Sequence, residues 1–257
     1  MPPTSAAVER LAERLRMKTP LIAVYDCPPS ERFAPLVEAT GANCCFVYYP
    51  RWLRGETLVV RKGGSDFLNP ENGCPGAKRA LGLEKEWPPF MANYLTDGVG
   101  APMGEGMMAS AELAQQFLDR AVPPPVSGDA VMIGPLRLEE WDSVRSVTFL
   151  VDLDRLSALM TLARYWSDDA DLVAAPFSTG CGLLWRELVN QDRDRPVISC
   201  TDMTMRKYIP PEIVSLTVTP ARFQEMLTFP DDCFLYKNWW NDLMDHRQKE
   251  AGKDRAP

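Results

Sequence analysis

The sequence predicts an α/β or α+β fold: a single domain of two loosely similar halves with a metal site between them. Short β-branched and apolar runs alternate with segments of helical period along the chain. Pro- and Gly-rich clusters separate these runs. Cys45, Cys74, Cys181 and Cys200 are spread over both halves, and the last three each lie beside Gly or Ser at an expected bend. The expected boundaries are 1–128 with Cys45 and Cys74, 129–235 with Cys181 and Cys200, and a tail over 236–257.

Taken in order, residues 5–17 carry Ala7, Val8, Leu11 and Leu15 at helical spacing behind a Thr4 or Ser5 cap. Residues 21–25 form a buried strand closed by Cys27-Pro28-Pro29. A short helix is expected over 31–39. The stretch 43–49 reads equally as strand or helix start. Residues 57–60 are strand-like, and a polar loop then delivers the chain to Cys74. Residues 77–83 read as a short helix ending at Gly82. Residues 84–128 read as the least regular part, a long surface segment with Met103, Met107 and Met108 among glycines and then a helix over 110–121. Strands are expected at 130–134 and 144–150, and a helix runs from Asp154 or Leu153 to Trp166. Residues 171–175 are strand-like, 183–189 helical, 197–200 and 214–218 strands, and 220–227 a helix. Trp239-Trp240 caps a core, and residues after about 247 are expected to fray.

The net charge of −7 argues against general nucleic-acid binding. No apolar run long enough for a membrane span occurs, and residues 1–17 lack the apolar centre of a signal peptide, so a cytoplasmic location is expected. Seven cysteines without an export signal point to reduced thiols rather than disulfides. His246 is the only histidine, which nearly excludes a His-based triad or a His-rich zinc site. No phosphate-binding glycine loop is present.

The wide separation of the four cysteines does not match zinc-finger or ferredoxin spacing. Two readings stay open on the residues alone. Buried cysteine commonly acts as a small hydrophobe, which is the reading given to Cys27, Cys44 and Cys233. Alternatively the fold gathers four soft thiolates, a set suited to an iron–sulfur cluster or zinc.

Lys18-Thr19-Pro20-Leu21-Ile22-Ala23-Val24, Cys45 with Gly55-Glu56, Cys74-Pro75-Gly76-Ala77 with Leu81-Gly82-Leu83, Cys181, and Cys200 with Arg206-Lys207-Tyr208 run through most of the chain. In these residues the sequence resembles the uncharacterised family known as domain of unknown function 169. The resemblance implies a shared thiolate site at Cys45, Cys74, Cys181 and Cys200; Cys45 is matched rather than Cys44 by its distance to Gly55. The stretch 137–152 departs from the family pattern.

The expected function is a [4Fe–4S] cluster-binding, oxygen-sensitive enzyme of oxidoreductase or Lewis-acid type acting on a small molecule. Glu56 is the expected proton-transfer carboxylate, with Arg79 and Arg206 offsetting cluster charge or binding a substrate anion. Zinc is the alternative metal, and a non-catalytic four-cysteine staple in a binding or accessory module is the alternative function. A metal-free thiol-redox enzyme built on Cys74 is a third reading. Expected partners are a small-molecule substrate or a redox partner protein, with self-association into a homo-oligomer left open, and neither nucleic acid nor membrane.

Overall fold

The computed structural model describes residues 1–39, 44–62, 76–121, 123, 125–176 and 194–253. Seven strands form one sheet: β1 (Ile22–Tyr25), β2 (Leu36–Glu38), β3 (Thr57–Arg61), β4 (Ala130–Pro135), β5 (Val144–Val151), β6 (Val197–Ser199) and β7 (Val214–Val218). Their order is β2-β3-β4-β1-β5-β7-β6. Every pairing is antiparallel except β2 with β3 at one edge. The two expected halves therefore share one sheet, and β4 from the second lies between β3 and β1 of the first.

Period-2 alternation sorts side chains onto two cores. Ala23, Tyr25, Val59, Met132, Val147, Phe149, Leu216 and Val218 face the first. Ile22, Val24, Leu58, Val60, Val131, Ile133 and Leu150 face the second. The covering layers differ. Over the first core lie α1 (Ser5–Arg14), α6 (Leu153–Ala163), α7 (Pro220–Met226) and α8 (Asn238–Lys253). Thr4, Asp152 and Thr219 cap the first three, each side chain accepting from a backbone N–H in the first turn. Leu11 and Leu15 of α1's face are almost fully buried, a contribution of roughly 1.5–3 kcal/mol each. Over the second core lie α2 (Tyr49–Trp52), α3 (Ala77–Ala80) and irregular segments around them. A third, small core joins α4 (Met91–Tyr94) to α5 (Ala111–Arg120).

Several local expectations change. Only a single 3-10 turn, Glu31–Phe33, replaces the helix expected over 31–39. Pro35 lacks an N–H and pushes Ala34 into extended backbone, so the chain passes directly into β2. The ambiguous 43–49 stretch is a 3-10 turn, Cys45–Tyr48, running into α2. The segment 84–128, expected to be irregular ahead of its 110–121 helix, also contains α4. Residues 171–175 make one isolated bridge, Ala174 to Val197, rather than a strand. The tail is helical to Lys253: Trp240 and Met244 sit in the first core, and Trp240 Nε1 donates to Arg14 O at 2.9 Å. Trp239 is exposed. The helix expected over 183–189 lies outside the described residues. Among the described residues, no helix is long and apolar enough to cross a membrane.

Candidate functional site

Two cysteine-bearing segments, and a third leading from a cysteine, converge on the second core. The first holds Cys44 in extended backbone, then Cys45 opening the 3-10 turn. Phe46 and Trp52 anchor this segment edge to face, with ring centroids 5.5 Å apart and both fully buried. Cys45 is buried with them, and Cys44 is half-buried at their margin. The second segment is α3, whose Ala77, Ala80 and Leu81 enter the same core. Its capping residue, Gly76, leaves little room: an added Cβ would lie 3.1 Å from the Trp87 ring. The third segment follows β6.

Cys200 is 1% exposed and adopts φ 63°, a left-handed backbone that costs a non-glycine residue about 1–2 kcal/mol. Strain of this kind persists where the surroundings over-determine it. Here they do. Arg206 donates to the carbonyls of Cys200, Pro210, Pro211 and Ile213, closing residues 200–213 into a knot. Burial pushes the Cys200 thiol up to about 11, opposed by the Ser215 hydroxyl and Arg206 and reinforced by Cys44 and Asp202. Cys44 is thus close enough to act on Cys200 by charge. Tyr49 is raised by burial, Glu212 and Cys200, which places its hydroxyl in the same neighbourhood.

Beneath Cys200 the sheet changes character. On the face that carries Leu150 and Ile22, β5, β7 and β6 present Ser146, Thr148, Thr217, Ser215 and Ser199, all at most 1% exposed. Thr148 and Thr217 bond to each other at 2.8 Å. The Ser199 hydroxyl, one residue before Cys200, is buried without a hydrogen-bond partner. Alternating small hydroxyls in these strands were a visible signal of this floor, but one that sequence reasoning passed over.

Glu105 was also missed. The chain after α4 turns back on itself: Glu105 N donates to Tyr94 O and Gly106 N to Thr96 O. Gly98 and Gly104 cross so closely that a Cβ on Gly104 would lie 2.4 Å from the Asp97 backbone. Glu105 is held there by Tyr94 and faces Asp202, two residues past Cys200. Burial first, then the Asp202 charge, push its carboxyl up to about 7, with the Tyr94 bond opposing.

Cys45 and Cys200 are thus brought into one core, and Cys44, read as a small hydrophobe, lies beside Cys200. Cys74 and Cys181 lie outside the described residues. Cys27 and Cys233 belong to the first core, on the opposite face of the sheet. Glu56 pairs with Arg51 and Arg54 at the turn into β3. Arg79 is buried, donates to Ala121 O at 2.7 Å and lies over the Trp87 ring. Asp152 caps α6 as expected, and Asp154 pairs with Arg247. Among the described residues, no three His, Cys, Asp or Glu side chains come together as a metal-holding group.

These features define a mixed α/β protein whose single sheet carries the longer helices over one face and, over the other, a buried core that includes Cys45 and Cys200. Residues 10–228 match the DUF169 family, described as uncharacterised ArCR, and the chain belongs to that family. No curated protein and no solved structure matches it.

Proposed function

We propose that this protein binds a [4Fe–4S] cluster through Cys45, Cys74, Cys181 and Cys200, in a site lying between the two parts of the chain, and acts on a small molecule there. The observation that carries the reading is the meeting of Cys45 and Cys200, far apart in sequence, in one buried core with Cys44 beside them. Ala77, three residues after Cys74, enters the same core. The described residues fit such a group in two ways. Cys45 and Cys200 offer soft donors shielded from water. The orphaned Ser199 hydroxyl next to Cys200 is a donor waiting for a sulfur or oxygen acceptor. Cys44 is the substitute for Cys45 should that turn present the other thiol.

A bound cluster would supply electron transfer or, at an open iron, Lewis acidity. The chain's own residues do the rest. Phe46, Trp52 and Leu81 exclude water. Arg206 holds the strained Cys200 backbone. Burial and the Asp202 charge raise the Glu105 carboxyl to about 7, so near neutral pH it can give or take a proton. A closed four-cysteine staple without catalysis is the second reading; the commitment of Arg206 to four backbone carbonyls favours it.

The test is anaerobic purification followed by iron, acid-labile sulfide and zinc counts, with each of Cys44, Cys45, Cys74, Cys181 and Cys200 changed singly to Ser. The expected result is a brown protein that bleaches in air, with iron and sulfide in equal number and lost in four of the five variants. A colourless, metal-free protein overturns the proposal, and stoichiometric zinc redirects it to the staple.

A further inference from the structure

A second cleft lies on the opposite face, over the first core, and nothing in the cysteine site explains it. It measures about 490 Å³, within the range of small-molecule sites. One wall is α1, which turns Leu11 and Leu15 fully inward but leaves Val8 and Ala12 half-buried along the opening. Met17, Leu21, Leu136 and Leu138 complete the apolar surface.

The polar groups of this cleft are already satisfied. Leu136 N donates to Leu21 O at 2.8 Å. Tyr25 Oη donates to Pro135 O and accepts from Arg137 N, both at 2.7 Å. Thr19 Oγ1 donates to Leu150 O. Pro20 and Pro135 have no N–H to offer. The lining therefore presents apolar surface and, at its rim, two exposed carboxylates, Glu9 and Glu139. Glu9 accepts from Ser5 Oγ, and among the described residues neither glutamate has an ion-pair partner. Among the described residues, no Lys or Arg lines the cleft. The cations next to the lining in sequence are placed elsewhere: Arg10 pairs with Asp231, Arg16 pairs with Asp245, Arg137 donates to Ala34 O, and Lys18 lines a separate cleft.

We propose that this cleft binds an amphiphilic cation: a small molecule with an alkyl or aryl body lying along α1 and an ammonium group between Glu9 and Glu139. The apolar body gains by leaving water and needs no hydrogen bond from the walls. The head group meets two carboxylates at the rim. An anionic amphiphile of the same shape is disfavoured by both. The proposal is independent of any metal at the cysteines.

The test is titration of the full chain, below micelle-forming concentrations, with octylammonium, octanol and octanoate, followed by ligand-observed NMR. Saturable binding is expected in the order octylammonium, octanol, octanoate. Glu9→Gln with Glu139→Gln is expected to weaken octylammonium about tenfold, the scale of two exposed ion pairs, and to leave octanol unchanged. Both side chains are exposed, so this variant keeps its fold. Ala12→Trp fills the cleft and removes binding of all three. Equal binding of octanoate, persistence in Ala12→Trp with an unchanged melting temperature, no saturable binding, or self-association that covers the cleft overturns the proposal.

Discussion

Glu105 titrates near 7 in the folded chain, against an ordinary 4.5. Between those values the native state holds a proton that the unfolded chain has released, so stability falls as pH rises through this window. A rise of this direction costs about 1–3 kcal/mol at neutral pH once partial exposure is allowed for. Glu105→Gln is expected to unfold at a higher temperature than the parent at pH 8 and at the same temperature near pH 4; an identical pH profile for the two proteins counts against the buried carboxyl. Neither the raised Glu105 carboxyl nor the missing partner of the Ser199 hydroxyl is legible in the sequence, because their surroundings come from chain segments far away along it. Glu56 illustrates the converse. Its place after Gly55 made it conspicuous, yet its nearest charges are local, Arg51 and Arg54. Arg206 was read as a charge for a cofactor or substrate, and its carbonyl partners depend on a knot that only the fold ties.

Elements with strong local patterns were legible. The β-branched runs of β3, β5 and β7 alternate between two cores as their spacing requires, and Thr4, Asp152 and Thr219 sit where helix caps belong. The layer over the second core was legible only at α3, where the short helix expected before Gly82 forms; α2, and α4 in the third core, span four residues each, too short for a helical period to register. Their conformation comes from packing and from close glycine contacts. The crossing of Gly98 over Gly104 is one such contact, and it aims Glu105 at Asp202. Gly104→Ala places a methyl against the Asp97 and Gly98 backbone, where no side chain can yield. The expected loss is about 2–3 kcal/mol, with the Glu105 carboxyl returning toward 4.5. Thermal unfolding and a carboxyl-labelled NMR titration read the two effects separately.

At the scale of the whole molecule, the sheet keeps its long strands inside. Its edges, β2 and β6, are three residues each, which leaves little exposed backbone for a stray strand to join. The α8 helix closes the first core by returning Trp240 to the end of α1, so the chain's last described element braces its first.

The position of β4 has a consequence for how the chain matures. β1 and β3 never touch as neighbours; the strand that joins them is made only after residue 130. A nascent chain emerging from the ribosome thus carries Cys45 and Cys74 for some time with only the three-residue β2–β3 pairing and no β4 to join it to β1. The fragment 1–128 is expected to be unfolded by circular dichroism, whereas 1–253 melts cooperatively; a folded fragment would mean that β1 and β3 find another partner. Whatever the second core holds must then arrive late, after synthesis has passed the strand that joins β1 to β3.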